Sequence, residues 1–189
     1  MTPMALAAAL SLLAPAAALG QVSPDAARVL AQARSASGGA AWDRLTGSWE
    51  RGTHGPVRYE TALDFRRLAF RFENTVAGQV RVHAFDGEQV WDAAPGQAPK
   101  VSRDPEAVRE AITTAYVSNN GHFFPQRFPS RAVLRIGVDP AFDVVEIEPA
   151  GGRAFELWFD RKTALPRGSS TAAPSRSRWS SPTIGRSAR

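Results

Sequence analysis

Hydrophobic and polar residues alternate along most of the chain, which is the period of a β-strand with one buried face. In Leu68–Asn74, for example, Leu68, Phe70 and Phe72 are separated by small or charged residues. The alternation predicts strands at Asp43–Thr53, Val57–Asp64, Leu68–Asn74, Gln79–Phe85, Gln89–Asp92, Ala132–Val138, Asp143–Glu148 and Ala154–Phe159. Leu165-Pro166 would begin another strand, but no strand pattern follows it.

Two segments carry the start signals of helices instead. Ser23-Pro24-Asp25 offers a capping hydroxyl, a proline for the first turn and an acid for the positive end of the helix dipole. Gly38-Gly39 ends this first helix. Asp104-Pro105-Glu106 starts a second helix, which is predicted to end near Asn119.

The order of these elements predicts an α+β, mainly β fold. With only two helices, parallel crossovers cannot join most of the strands, so the short connections predict an antiparallel sheet. Asp86-Gly87 fits such a connection, because both residues tolerate the positive φ of a tight hairpin. A long antiparallel sheet packed on one or two helices must curve into an open half-barrel. Residues 21–166 would form this domain, with an apolar concavity between sheet and helix.

Aromatic side chains are the candidates for lining that concavity. The predicted lining residues are Phe70, Phe72, Trp91, Tyr116, Phe123, Phe124 and Trp158. Phe123-Phe124-Pro125 is a candidate lip, since proline keeps the segment extended and two adjacent rings on a strand point to opposite sides. The alternative is that the aromatic residues simply fill the hydrophobic core.

The two ends of the chain differ from the middle. Residues 1–20 contain no charged side chain, and Ala18 and Gly20 place small residues at the −3 and −1 positions of a cleavage site. They predict a secretory signal peptide and a periplasmic or secreted protein. An uncleaved anchor is the alternative, but the apolar run is short and Pro15 interrupts it. Residues 167–189 are rich in Ser, Arg and Pro and predict a disordered tail.

Charge and cysteine content narrow the classes of function. The net charge of +5 comes from five arginines after Pro166, where there is no acidic residue, so the rest of the chain is balanced. A specific nucleic-acid partner would need a basic face on the folded part, which this balance argues against. The chain has no cysteine, and this excludes disulfides, thiolate metal sites and cysteine nucleophiles.

Catalytic patterns are missing from the sequence. His54, His83 and His122 have no metal-binding spacing, and there is no Gly-x-Ser-x-Gly or Gly-rich phosphate loop. His83 is expected to be a surface or cross-strand residue, and His122 to belong to the capping of a helix end. Glu146 and Glu148 lie two apart on a strand and predict a solvated face. We therefore expect no catalytic residue, metal or cofactor; a metal-dependent hydrolase using the histidines is the weaker alternative.

Two hairpins resemble those of the periplasmic lipoprotein carriers of the LolA type. Phe85–Trp91 resembles their motif of an aromatic residue, Asp-Gly, two residues, an apolar residue and Trp. Glu156–Pro166 resembles their hairpin ending in Thr-Gly-Leu-Pro, with Ala164 in place of Gly. Ala33–Trp42 is similar to the start of a related non-catalytic domain that precedes the catalytic region of exported retropepsin-like aspartyl proteases.

The resemblance covers about residues 26–166. It implies a curved sheet around helices, with a hydrophobic cavity for a lipid or the acyl chain of a lipoprotein, and no catalytic residue. Peripheral contact with membrane components is a further expectation. The alternative is the front domain of an aspartyl protease, although this chain has no Asp-Thr-Gly or Asp-Ser-Gly.

The resemblance ends at the Leu-Pro hairpin. LolA-type domains carry further strands there, whereas this chain turns to Arg, Ser and Pro. A missing partner strand would leave Ala154–Phe159 as an exposed edge. We therefore expect a shifted reading frame or a truncated gene near Arg167.

Overall fold

The computed structural model describes residues 21–171. The predicted signal peptide at residues 1–20 and the predicted tail beyond Thr171 lie outside this range. The elements are α1 (Pro24–Ala36), β1 (Gly47–His54), β2 (Val57–Asp64), β3 (Ala69–Val76), β4 (Gln79–Phe85), β5 (Val90–Ala93), β6 (Lys100–Ser102), α2 (Pro105–Ser118), β7 (Ser130–Arg135), β8 (Phe142–Pro149), β9 (Phe155–Asp160) and β10 (Pro166–Thr171), with 3₁₀ turns at Gly39–Arg44 and Gly121–Phe123. None of the helices in this range has the length and apolar character needed to cross a bilayer.

The strands form two antiparallel sheets. The large sheet has the order β1-β2-β3-β4-β5-β6, and the small sheet has the order β10-β9-β8-β7. The mainly β, antiparallel class predicted from the sequence is confirmed. The expected single sheet is divided, because α2 and the connector after it lie between β6 and β7 and carry the chain from one sheet to the next.

The helix start signals are confirmed. The Ser23 hydroxyl accepts a hydrogen bond from the backbone N–H of Ala26 at 3.3 Å. The Asp104 carboxylate accepts two, from the backbone N–H groups of Glu106 and Ala107 at 3.1 and 3.0 Å. Each cap satisfies N–H groups that have no partner inside the helix, which fixes where the helix begins.

Helix α2 joins the two sheets. Its Ala111 and Ala115 pack against buried residues of the large sheet, including Phe85. Its Tyr116 packs edge-on against Phe155 of the small sheet, with ring centroids 6.0 Å apart. Small residues therefore face one sheet and a large ring faces the other, which sets the distance of the helix from each.

The connector after α2 forms an aromatic cluster. Phe123 and Phe124 are both buried, against Trp42 at centroid distances of 5.0 and 6.1 Å. The prediction of an extended lip is therefore wrong, because the 3₁₀ turn lets adjacent rings reach the same core. The Arg127 guanidinium lies 5.0 Å from the centre of the Phe124 ring and donates to the Phe65 carbonyl at 2.7 Å.

The small sheet contains a strand of which the sequence predicted only the start: a strand was expected to begin at Leu165-Pro166, and β10 begins at Pro166. Gly168–Thr171 was expected to be disordered, but it pairs with Phe155–Trp158 as part of β10. The predicted exposed edge at Ala154–Phe159 is thus covered. Alternation cannot reveal such a strand, because an edge strand needs only its backbone for pairing and residues 166–170 are exposed. Sequence also missed β6, and it began β1 too early, since Gly39–Arg44 is a 3₁₀ turn.

Candidate functional site

The two faces of the large sheet have different environments. Phe70, Phe85 and Val90 point toward α2 and are at most 4% exposed. The residues that alternate with them point away from α2, and we call this side the outer face. Antiparallel pairing lines up one row of outer-face residues across the six strands, in the order Trp49, Ala62, Arg71, Ala84, Trp91 and Val101.

A groove runs along the outer face. Its volume is about 630 Å³, it is open to solvent, and its surface is almost entirely apolar. Ala62 and Ala84 make part of its floor, on either side of Arg71, and their small side chains leave depth beside the indole of Trp91. Asp64, Asp86 and Asp92 also line the groove. The apolar outer-face residues that line it are Ala62, Ala69, Val82, Ala84, Trp91, Ala93 and Pro99. We call this the outer-face groove.

Trp91 is held in place by the hairpin that precedes it. Its indole Nε1 donates to the Asp86 carboxylate at 3.1 Å. The same carboxylate accepts the backbone N–H groups of Glu88 and Gln89, both at 2.9 Å. Desolvation raises the pKa of Asp86, but the hydrogen bonds from Gln89, Glu88 and Trp91 outweigh it and lower the pKa to about 2. Asp86 is therefore ionised at neutral pH and fixes both the turn and the wall of the groove.

A smaller polar cleft lies on the other side of β4 and β5. Its volume is about 250 Å³, and its polar lining residues are Asn74, Arg81, His83, Asp92, Gln97 and Lys100. The Nδ1 of His83 lies 2.8 Å from an Asp92 carboxylate oxygen. Val82, Asp92 and Ala93 line both the polar cleft and the outer-face groove, so the two hollows adjoin at the end of β5.

The predicted lining residues fall in three places. Trp91 lines the outer-face groove. Phe70 borders it too, but its ring points toward α2, where Phe72 stacks on it with ring centroids 4.4 Å apart. Tyr116, Phe123 and Phe124 are buried in the core. Trp158 lies on the small sheet against Phe142, with centroids 5.7 Å apart.

Sequence reasoning missed the alanines on the floor of the groove. Ala62, Ala84 and Ala93 occupy strand positions that normally face solvent, where alanine is an uncommon choice. The signal in the sequence was that several neighbouring strands carry small residues at the alternating positions where polar residues are expected. It could be read only after the register was known, because the row depends on which residues are paired across strands.

Two of the histidines differ in their exposure, since His83 is exposed and His122 is buried. His83 is a cross-strand surface residue paired with Asp92, and this prediction is confirmed. The prediction for His122 is wrong, because it is buried and neither ring nitrogen has a hydrogen-bond partner within the described residues. Its ring lies 4.3 Å from that of Phe123 and 6.0 Å from that of Phe159. Desolvation lowers the pKa of His122 to about 3, so it is neutral at neutral pH.

Glu146 and Glu148 form the solvated face predicted for them. Arg131 contacts Glu148 at 3.0 Å, and Arg135 contacts Glu146 at 2.6 Å. Among residues 21–171, no group of three or more histidine or acidic side chains is placed to hold a metal ion. Neither a scan against protein-family models nor a search of curated proteins gives a match to this chain.

Proposed function

We propose that this chain is an exported, non-catalytic binding module that holds the acyl chain of a lipid or lipidated protein in the outer-face groove. The observation that supports it is the combination of size and surface. A volume of about 630 Å³ lies in the range of small-molecule sites, and the lining is apolar on a sheet face that would otherwise carry polar residues.

The energetics favour a flexible apolar ligand. Trp91 is 37% exposed and Trp49 is 59% exposed, so both indoles leave apolar surface in water. An acyl chain with eight methylene groups withdrawn from water would gain roughly 6 kcal/mol before the cost of immobilising it. A shallow open groove suits a chain that can follow its shape, and it requires no specific hydrogen bond along its length.

The proposed location and family depend on the sequence. Residues 1–20 support a periplasmic or secreted protein, where lipids and lipoproteins are in transit. The hairpins at Phe85–Trp91 and Glu156–Pro166 support a relationship with LolA-type carriers. In this proposal the two sheets and their helices correspond to the half-barrel of that family. The acyl site differs from the sequence prediction, since it lies on the outer face and not between sheet and helix.

The test is direct binding of a fluorescent fatty acid. The full chain is expressed with its own leader, delipidated and titrated with 11-(dansylamino)undecanoic acid. We expect saturable binding with a blue-shifted emission. The Ala84→Arg variant places a charged chain on the floor of the groove and should weaken binding by at least about tenfold, because it fills apolar space and desolvates a guanidinium.

The matched control is Ala31→Arg. Ala31 is exposed on α1, away from the groove, so this variant makes the same chemical change without touching the site. Circular dichroism and thermal unfolding check that both variants fold. No saturable binding to the wild-type protein, or equal loss in both variants, would overturn the proposed function.

A further inference from the structure

We infer that the polar cleft recognises an anionic headgroup, so that the ligand is an amphiphile with an acyl tail and a carboxylate or phosphate at one end. This inference rests on the proposed function and names the ligand class of the same site. It is supported by the register of four strands, the balance of charge in the polar cleft and the junction of the polar cleft with the outer-face groove.

The register brings the polar side chains together. His83 pairs directly with Asp92, and Asp92 pairs directly with Lys100. Asn74 pairs with Arg81, which lies two residues from His83 and therefore on the same face of β4. Directly paired residues in antiparallel strands have Cβ atoms roughly 4.5–5.5 Å apart. Four strands thus contribute two neighbouring polar rows on one face of the sheet.

The charges of the side chains that line the polar cleft do not balance. Asp92 is the single acid among the lining residues, and its carboxylate is hydrogen-bonded to His83 at 2.8 Å. Arg81 and Lys100 form no ion pair with any residue of the described chain. By contrast, Arg71 on β3 pairs with Glu73 on the same strand. The polar cleft therefore has excess positive charge available to a ligand.

The polar cleft opens where the groove ends. Strand β5 stops at Ala93, opposite Val82, so Gln79–Arg81 at the start of β4 extend past it. The chain returns through a loop to Pro99 and Lys100. Pro99 lines the outer-face groove, and its neighbour Lys100 lines the polar cleft. An amphiphile with its tail in the groove can thus place its head around the end of β5.

The chemistry of the two cations selects the head. A guanidinium donates two parallel hydrogen bonds to a carboxylate or phosphate, and an ammonium adds a point charge. A neutral headgroup would leave both cations without a partner and would gain nothing from them. Anionic amphiphiles and free anions share this chemistry, so the experiment must separate them.

The experiment compares two ligands with the same tail. Decanoate carries an anionic head, and N,N-dimethyldecanamide carries a neutral one. Calorimetric titration of the full, delipidated chain should give tighter binding of decanoate, with an affinity that falls as salt is added. In the Arg81→Gln/Lys100→Gln variant, decanoate binding should weaken by about tenfold or more, as for loss of a charge-assisted contact, and amide binding should stay unchanged.

Two further variants control for charge and folding. Arg44→Gln/Arg58→Gln removes the same net charge from residues that line neither hollow and should leave both affinities unchanged. Asp92→Asn removes the acid from the polar cleft and should strengthen decanoate binding severalfold. A gain of affinity cannot arise from misfolding, so this variant keeps the test decisive.

The outcomes distinguish the two claims. If neither ligand binds the wild-type protein, the proposed function fails and the inference fails with it. If both ligands bind equally and the cleft variant changes neither, only the headgroup inference is overturned. Inorganic phosphate is titrated separately: if it binds through Arg81 and Lys100 without weakening decanoate, the polar cleft is a free-anion site and the inference is again wrong.

Discussion

The two sheets each bury one face in the core, but their outward faces differ. Each buries one face: Phe85 and Val90 in the large sheet, and Phe155 and Phe159 in the small sheet, are almost inaccessible. Outward positions of the small sheet carry ion pairs such as Arg131–Glu148, as expected for a face in water. The outer face of the large sheet also carries an ion pair, Arg71–Glu73, but beside it lies a patch of alanine, valine and tryptophan side chains. Folding requires only the buried face, so this apolar patch needs another explanation, and ligand binding is the one we propose.

The hairpins at the two sheets extend the comparison. Asp160 accepts the backbone N–H groups of Lys162 and Thr163 at 2.9 and 3.0 Å, which is the same arrangement as at Asp86. The hydrogen bond from Thr163 is the main cause that lowers the pKa of Asp160. The remaining partner differs, however. Asp160 contacts Arg167, whereas Asp86 holds the indole of Trp91. The same turn thus supports an ion pair in one sheet and the wall of a groove in the other.

The largest effect is expected on the buried face of the large sheet. Phe85→Ala should lower the free energy of unfolding by about 3–5 kcal/mol, because it removes a ring that is 2% exposed and leaves a cavity. Urea denaturation measures this change. A loss below about 1 kcal/mol would contradict the assignment of this face to the core.

The second effect concerns His122, which packs under the small sheet. Its pKa of about 3 lies below the ordinary value of 6.5, so the unfolded state binds more protons between these two pH values. Its contribution to stability is complete above about pH 6.5 and is lost as the pH falls toward 3. On lowering the pH from 7 to 4, the wild-type protein should lose about 3 kcal/mol more stability than His122→Leu. Equal losses in urea denaturation at the two pH values would show that His122 is not buried as a neutral ring.

The third effect separates the two outward faces. Trp91→Ala should change the free energy of unfolding by less than about 1 kcal/mol, because the ring is partly exposed, but should weaken binding of the dansylated fatty acid by about tenfold. Trp158→Ala makes the same change on the small sheet and should leave binding unchanged. If Trp158→Ala lost binding and Trp91→Ala kept it, the ligand would bind to the small sheet, and the proposed site would be wrong.

The smallest effect separates the two turn aspartates. Asp86→Asn weakens the hydrogen bond that positions the Trp91 indole, so binding of the same probe should fall severalfold. Asp160→Asn alters the equivalent turn in the small sheet and should have no effect on binding. The titrations are run at neutral pH, where both native carboxylates are ionised. Equal affinities in the two variants would mean that Asp86 does not position the groove wall.

Local features of the fold were predictable because they depend on neighbouring residues. Ser23 and Asp104 mark the helix starts, and Asp86-Gly87 marks a hairpin whose Gly87 has a φ of 103°. The division into two sheets was not predictable, since alternation gives strands without saying which of them pair. The continuation of β10 beyond Pro166 was missed for a related reason: its pairing uses backbone groups that any sequence of Ser, Gly and Thr provides.

The candidate site was less predictable than the fold. The sequence identified large aromatic residues, and most of these, such as Tyr116 and Phe123, are buried in the core. The groove instead depends on alanines at outward positions, whose alignment appears only when strands are paired. His122 shows the same limitation, because its burial results from the packing of Phe123 and Phe159 and not from its place after a helix.

The most direct test of the acyl-binding groove is to titrate decanoate into the uniformly ¹⁵N-labelled protein and follow the tryptophan indole resonances. We expect a saturable shift of the Trp91 signal, with Trp42 and Trp158 unchanged, because Trp91 is the one tryptophan within residues 21–171 that lines the outer-face groove. A saturable shift of Trp158 or Trp42 with Trp91 unmoved, or no saturable shift at all, would contradict this prediction.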